Sequence, residues 1–404
     1  MGTAISAAGT AISTAQRFVL ALVCAVAVST IYAIQPVLEK AGAELGLASQ
    51  TLGVLVAAGQ IGYFAGLVLL VPLGDLLNRR RLIITYLLLT AAGATTTALA
   101  PNGVVAVAGL AVAGLFAVVV QVTVAYVAAV SPPRERGRNI GAVTSGVVLG
   151  ILGVRILAGA LGDTVSWRAV YVVAAVLCAA LACIVRATLT PDIRTAAVGA
   201  RYLHVVATMA ALARGDSLVR SRGLIALFLF AAFGTLWSGL ALPLSAAPWR
   251  LGTTEIGLFG LAGLAGALGA ARTGRWADRG RAQEVSAAGL VLLTVSWLLI
   301  AWIDTSLWPL VIGIVALDFA VQAVHVSSQH LLTTAHPNRT SSVIAAYMAC
   351  YSLGSALGAL TTTWLYSAWG WAAACWSGAA YSLAALAVWA STRPRVHSTR
   401  APMR

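Results

Sequence analysis

The chain has 404 residues, 60% of them hydrophobic and only 9% charged, with a net charge of +14. Soluble domains carry roughly a quarter charged residues, so this chain lacks the polar surface to face water on all sides. Its apolar residues fall into separate runs of about 20, the length of spanning helices and not of alternating barrel strands. The arginines lie in short breaks between those runs, so membrane topology explains the basic charge and no nucleic-acid partner is expected.

Met1–Gln16 is an uncharged tail of Ala, Ser, Thr and Gly, and residues 1–17 are read as a flexible segment. Arg17 opens an apolar run too long for a signal peptide and without a cleavage site, so it is taken as the first spanning helix. Measured against about 17–25 residues per span, the runs predict twelve helices. They lie near 18–38, 51–73, 82–100, 103–130, 139–162, 167–188, 223–246, 255–274, 284–303, 306–333, 341–366 and 371–391. The fold expected is an all-α membrane protein with twelve transmembrane helices in two six-helix halves, 18–188 and 223–391. A linker, 189–222, joins them, and 392–404 is a basic tail.

If the N-terminus is cytoplasmic, only Lys40, Arg168 and Arg250 lie in outside loops and Arg155 lies within a helix. Every other one of the 26 basic residues then falls inside. This bias predicts both termini in the cytoplasm. In the linker, Leu203, Val206, Ala210 and Ala213 share one helical face, which suits a helix lying on the membrane surface; an irregular basic linker fits equally well. The five cysteines (Cys24, Cys178, Cys183, Cys350, Cys375) are odd in number and lack metal-ligand spacing. They read as packing residues, and no metal or cofactor is expected.

The two halves align at an offset of 203–204. Asp75 maps to Asp278, Gly53 to Gly257, Gly59 to Gly263, Pro133 to Pro337, Gly150 to Gly354 and Trp167 to Trp371. The proline and tryptophan matches, at equivalent loop positions, make this an internal repeat of the kind secondary transporters use. The loop after the second helix reads Pro72-Leu73-Gly74-Asp75-Leu76-Leu77-Asn78-Arg79-Arg80-Arg81, and the second half repeats it as Gly274-Arg275-Trp276-Ala277-Asp278-Arg279-Gly280-Arg281.

These stretches resemble the signature loop of the major facilitator superfamily, Gly-x-Leu-small-Asp-Arg-x-Gly-Arg-Arg. Val71, Leu76 and Asn78 depart from it; Asn78 replaces the turn glycine, and Asn tolerates a left-handed turn better than most residues. Trp167-Arg168-Ala169-Val170-Tyr171 and the glycine-rich run 257–263 look most like a bacterial branch of arabinose-efflux or drug-efflux permeases. The resemblance implies alternating access, and a monomer in the bacterial inner membrane. It also implies a conformational latch of Asp75, Arg79, Arg80, Asp278 and Arg279, with the acids capping helices that open at Ser341-Ser342 and at Asn139. Exposed loop acids among topology-setting arginines are the simpler alternative. Helix five lacks the Gly-Pro pair of the antiporter motif and carries Val154-Arg155 instead.

Gly257, Gly260, Gly263, Gly266 and Gly269 recur every three residues in helix eight, with Gly62 and Gly66, Gly146 and Gly150, and Gly354 and Gly358 on helices two, five and eleven. Small residues at this spacing let helices approach closely. The resemblance puts those helices between the halves, where sliding surfaces are expected; packing without motion is the alternative.

Two charges lie deep in the apolar runs, Arg155 and Asp318. Each costs roughly 2.5–3.5 kcal/mol to insert, which marks both as functional candidates. Asp318, Gln322, His325 and Gln329 form one polar stripe on helix ten. Such a stripe must face protein or water. Asp318 is expected to carry the coupling proton, with His325 as relay; His325 as a hydrogen-bonded packing residue stays open. The resemblance places helices one, four, seven and ten around a central cavity. Tyr32, Gln35, Gln121 and Trp237 would then line the cavity with Arg155, Gln322 and Gln329. A permanent Arg155–Asp318 ion pair is a further possibility, although helix lengths suggest depths about 8 Å apart.

The function expected is a secondary transporter: a proton-coupled exporter of a small organic solute, or an uptake symporter or uniporter. The partners implied are that solute, protons and the lipid bilayer. No nucleophile–base pair, metal cluster or nucleotide loop points to an enzyme.

Overall fold

The computed structural model describes residues 12–132, 134–190, 202, 207, 211, 214–270 and 276–392, without the side chains of Asp75, Ala277, Asp278, Asn338 and Ser341. Among the described residues there are helices and no strands. Six spans fill the first half: α1 (Thr14–Tyr32), α2 (Gly53–Leu69), α3 (Arg79–Ala98), α4 (Gly103–Val130), α5 (Arg136–Thr164) and α6 (Trp167–Thr188). The second half begins with α7 (Ser217–Ser245), α8 (Thr253–Ala270), α9 (Ala282–Ile300) and α10 (Leu307–Ala335).

The last helical segment, Thr340–Thr392, has 53 residues. As one rod it would be about 80 Å long, far more than a bilayer core of about 30 Å. Gly370 breaks it, at φ 74°, a left-handed conformation that only glycine adopts freely. The segment is therefore two spans, α11 (340–369) and α12 (371–392), which brings the described spans to the twelve expected from the sequence.

Local polar chemistry starts many of the helices. Ser13 and Gln16 form a reciprocal capping box on α1. Asn102 accepts from Val105 N at 3.1 Å, and Asp216 accepts from Leu218 N and Val219 N, each at 2.9 Å. Such caps satisfy amides that have no partner within the helix. Asn78 differs from expectation: its backbone is extended (φ −63°, ψ 114°), and its side chain caps α3 by accepting from Arg81 N at 3.0 Å. The asparagine thus serves as a helix start and not as a left-handed turn.

The repeat is visible in packing. Trp167 and Trp371 are both buried; one indole donates to Glu44 Oε2 at 3.0 Å, the other to Ile300 O at 3.2 Å. In the first half, α5 lies against α1 through Gly146 and Gly150, where any Cβ would collide with Ala21 and Ala25 backbone. In the second, α11 lies against α7 through Gly354 and Gly358, against Leu227 and Ala231 backbone. Gly62 and Gly66 of α2 likewise face Ala111 and Leu115 of α4. These glycines pack inside their own halves, contrary to the expectation that they line the surface between halves. Close backbone contact makes each half a rigid unit.

The halves meet where α2 packs on α11 and α5 on α8. Among the described residues, the hydrogen bonds joining them run from mid-depth toward the end that carries Lys40 and Asp163, called here the far end. At mid-depth the Tyr32 and Tyr351 hydroxyls contact each other, and Ser352 donates to Gln60 O at 2.5 Å. At the far end Gly53 N donates to Thr363 Oγ1 at 3.2 Å, and Ser245 donates to Glu39. Asp163, at the end of α5, accepts from the first two amides of α8, Thr253 N at 3.1 Å and Thr254 N at 2.6 Å. Lys40 pairs with the same carboxylate at 2.5 Å.

At the opposite, arginine-rich end, Arg80 donates to Arg186 O, and Arg79 Nε to Gly74 O at 3.0 Å. The side chains of Asp75, Asp278 and Ser341 lie outside the described residues, as do Leu203, Val206, Ala210 and Ala213 of the expected surface helix. Asn139, the expected partner of Asp278, donates to Ser131 Oγ at 3.0 Å and accepts from Arg17 at 3.3 Å, both within the first half. Arg279 is exposed on a turn, Ala277–Arg281, in which Gly280 takes φ 82°.

Candidate functional site

The site is built around the glycine face of α8. Gly257 and Gly260 face α5: the Cβ position of Gly257 is 2.5 Å from Arg155 O, and that of Gly260 is 3.4 Å from Arg155 Cβ. One turn on, the Cβ position of Gly263 is 3.2 Å from Asp318 Oδ2 and 2.8 Å from Trp237 Cζ2, and Gly266 faces Asp318 Cβ at 3.1 Å. The absence of side chains on α8 is what lets Arg155 from one half and Asp318 from the other converge. Both are 2% exposed.

The observed helix ends, Thr164 for α5 and Leu307 for α10, also correct the expected depth difference. Arg155 lies nine residues before Thr164 and Asp318 eleven after Leu307, so their depths differ by about 3 Å rather than 8 Å. Even so, the two groups do not form an ion pair within 4.0 Å; they interact across a gap.

Arg155 is held by one amide and a wall of rings. Gln35 Oε1 accepts from its Nε at 3.4 Å and its Nη2 at 3.2 Å. The guanidinium stacks 3.6 Å from the Trp237 ring centroid, with Phe233 at 5.6 Å and Tyr32 at 5.9 Å. Stacking satisfies the faces of the cation but not its edges. Nη1 has no hydrogen-bond partner; Asp318 Oδ2 and Trp237 Nε1 make none within 3.5 Å, although the indole and the carboxylate interact beside Gly263. A void of about 10 Å³ lies beside Gln35, Pro36, Arg155, Trp237, Leu240, Ala241 and Ile256, room for about one water. A larger hollow, about 290 Å³ between α9 and α10, has an apolar floor and contains neither charge.

The remaining expected residues divide. Tyr32, Gln35 and Trp237 join Arg155 and Asp318. Gln121 donates to Tyr63 Oη at 2.8 Å and keeps a buried, unpartnered Oε1. His325 stands away from Asp318. Gln329 donates to its Nε2 at 3.0 Å, so the neutral ring carries its proton on Nδ1, 2.9 Å from Tyr347 Oη. Its ring lies 5.3 Å from Phe230 and 6.1 Å from Tyr351. Seven residues separate it from Asp318, about 10 Å along the helix, so no direct hydrogen bond links the two. Gln322 is half-buried.

Several contributors were not foreseen. Phe230, Phe233, Tyr63 and Tyr351 supply ring surface, a residue type too common in apolar helices to stand out. Gln60 is buried, with its Nε2 unpartnered; a lone amide in α2 was a readable signal. Arg222, placed by the sequence at a loop edge, is 2% exposed and donates to Ser286 Oγ at 3.2 Å and Gln283 Oε1 at 2.7 Å.

Two closely packed halves, hydrogen bonds among the described residues that cross the seam from mid-depth to one end, and buried charges without full pairing at that seam suit a carrier built from two repeats. The sequence profile of the Major Facilitator Superfamily matches residues 18–249 and 223–404, that is, both halves. The chain belongs to the major facilitator superfamily. Among its relatives, the "Uncharacterized transporter YgaY" of Escherichia coli O157:H7 is 38% identical over 378 residues, covering 94% of this chain and 95% of that protein. The "Probable transporter SCO4007" of Streptomyces coelicolor is 33% identical over 351 residues, 85% of this chain and 79% of the relative.

Solved superfamily structures share the fold. A bacterial homologue of the human lysosomal transporter Spinster, inward-facing and occupied, superposes with a TM-score of 0.75 at 14% identity over 93% of this chain and 96% of the other. A D-xylose–proton symporter gives 0.71 at 15% identity over 92% and 96%, and the human organic anion transporter MFSD10 gives 0.68 at 18% over 93% and 98%. The protein is therefore a multi-pass membrane transporter with the major facilitator fold.

Proposed function

We propose that this superfamily member is a proton-coupled secondary transporter that exports a small organic solute by alternating access, using the Arg155–Asp318 site. The observation that carries this reading is the pair of opposite charges, buried at the joint between halves and left with unpartnered atoms. Ions held away from water without full pairing cost several kcal/mol. A site that bears this cost between two rigid bodies is a site for a ligand.

Asp318 is the proton carrier in this reading. Protonation removes one buried charge, releases Arg155 from its opposite, and so changes the relative energies of the two arrangements of the halves. His325, tied to Tyr347 and Gln329, organises the α10–α11 contact, and any proton exchange with Asp318 would need water between them. The far-end contacts of Asp163, Thr253, Glu39 and Ser245 close one side. The motif residues Asp75, Arg79, Arg80, Asp278 and Arg279 act as the latch at the other.

The arginine bias of the connections supports placing that latch end and both termini in the cytoplasm of a bacterial inner membrane. Export rests on the resemblance to efflux permeases, and uptake by symport is the same machine with the opposite sign of coupling. Reconstitution into proteoliposomes with a solute counterflow screen and an imposed proton gradient tests the reading. Asp318→Asn should abolish the response of flux to the gradient. Wild-type, gradient-dependent flux in Asp318→Asn refutes it.

A further inference from the structure

We propose that the site takes an amphoteric solute, with its acid group on Arg155, its protonated amine on Asp318, and an apolar or aromatic body against the rings of α1, α7 and α11. This inference rests on the transporter reading above and adds the substrate class to it.

Four observations converge. First, the two unpartnered atoms have opposite needs. Arg155 Nη1 requires an acceptor and Asp318 Oδ2 a donor, and each is in a side chain 2% exposed. Second, both lie against the same glycine face without forming an ion pair within 4.0 Å, so neither meets the need of the other. Third, their spacing is set by the glycine face beneath them. Arg155 rests on Gly260 and Asp318 on Gly263, three residues apart and so about 4.5 Å along α8. In an amino acid the amine nitrogen and carboxyl carbon are about 2.5 Å apart. Adding a hydrogen bond of about 2.8 Å at each end gives a span of about 8 Å, wider than this spacing and than the one-water void beside Arg155, so the head group enters as the halves part and the two side chains separate. Fourth, Phe233, Trp237 and Tyr32 already cover the guanidinium faces, so a ligand acid is directed to its edge and its body to the rings.

Charge bookkeeping selects the class. A zwitterion completes an alternating row: guanidinium, carboxylate, ammonium, carboxylate. Every charge then has an opposite neighbour and no net charge enters the seam. A simple anion leaves the Asp318 carboxylate facing it, and a simple cation leaves Arg155 facing it. An unpaired buried charge is strongly unfavourable, so either one-headed ligand binds more weakly.

The test uses matched triples on the purified full chain in detergent, at neutral pH. L-Phenylalanine is compared with 3-phenylpropionate and 2-phenylethylamine, which lack the amine and the acid respectively. Tryptophan and leucine are compared with their own truncated analogues. Affinity is read from ligand-induced thermal stabilisation across a concentration series. At least one amino acid should bind tenfold or more tightly than both of its analogues. Arg155→Gln should narrow the gap to the amine alone, and Asp318→Asn the gap to the acid alone. Unliganded unfolding curves identify variants that remain folded, and Arg155→Lys serves as a second variant if Arg155→Gln does not.

If no triple shows a preference for the two-headed member, the inference is overturned. An analogue that binds as tightly as its parent overturns it for the same reason. Proton-dependent flux of a one-headed solute, lost in Asp318→Asn, would defeat the substrate class and leave the transporter reading standing.

Discussion

Removing the Asp163 carboxylate should loosen the far-end seam by an amount the geometry allows us to bound. The group caps α8 from the other half of the protein, through Thr253 N and Thr254 N, and also pairs with Lys40. Loss of an N-cap acceptor costs about 0.5–2 kcal/mol. Loss of a negative charge at a helix N-terminus costs about 0.3–1 kcal/mol. The Lys40 pair is partly open to solvent, with side chains 45% and 27% exposed, and is worth about 0.2–1 kcal/mol after screening. Asp163→Ala should thus favour separation by about 1–4 kcal/mol. At about 1.4 kcal/mol per tenfold change, the seam-open population rises roughly fivefold to several hundredfold. Asp163→Asn keeps a capping oxygen and loses only the charge terms, about 0.5–2 kcal/mol.

Hydrogen exchange read by mass spectrometry reports this opening directly. When closing is faster than exchange, the rate of each amide scales with its open population. Peptides covering 251–258 should exchange faster in the order wild type, Asn, Ala, while peptides from α1 and α6 stay unchanged. Equal protection of 251–258 in all three proteins would show that the cap does not hold the seam.

Other expectations follow from the same contacts. Gly263→Ala places a Cβ 2.8 Å from the buried Trp237 ring and 3.2 Å from Asp318, so transport should fall well below half of wild type and stability should drop by about 1–3 kcal/mol, measured on one preparation. On α5, Gly146→Ala collides with backbone of α1 and should cost about 1–3 kcal/mol. Gly153→Ala meets nothing within 4 Å and should stabilise by about 0.5–1 kcal/mol; thermal melts in detergent compare the two. Asp216 caps α7 and sits 2.9 Å from His336 Nε2. Its carboxyl is held below the usual range, first by the Val219 amide and then by His336. A depressed carboxylate contributes stability that is present above the unfolded value and lost as pH falls through the folded one. Asp216→Ala should therefore lower melting temperature near neutrality, with the gap closing as pH falls below the ordinary carboxylate range.

The candidate site was half legible in the chain. Arg155 and Asp318 stood out because a charge in an apolar run is costly, whereas Trp237, Gln35 and Tyr32 came from the resemblance, which places helices one and seven around a central cavity. Asp163 and Lys40 left no signal, since a loop acid and a loop lysine look ordinary until a helix from the other half is known to start beside them. Arg222 was misplaced because the apolar run begins after it while the helix begins at Ser217.

Taken alone, the sequence determined the spans, their number, the duplication and the equivalence of Trp167 and Trp371. Apolar length, periodicity and repeat offset are properties of a line, and a bilayer demands only that each line be long enough and satisfy its own backbone. Tertiary structure decided the rest. It set Arg155 and Asp318 within a turn of each other across the bare face of α8, turned His325 toward Tyr347, and gave Gly146, Gly150, Gly354 and Gly358 to packing within each half. Those outcomes depend on which helix lies opposite a given face, and a side chain acquires its partner only from that neighbour.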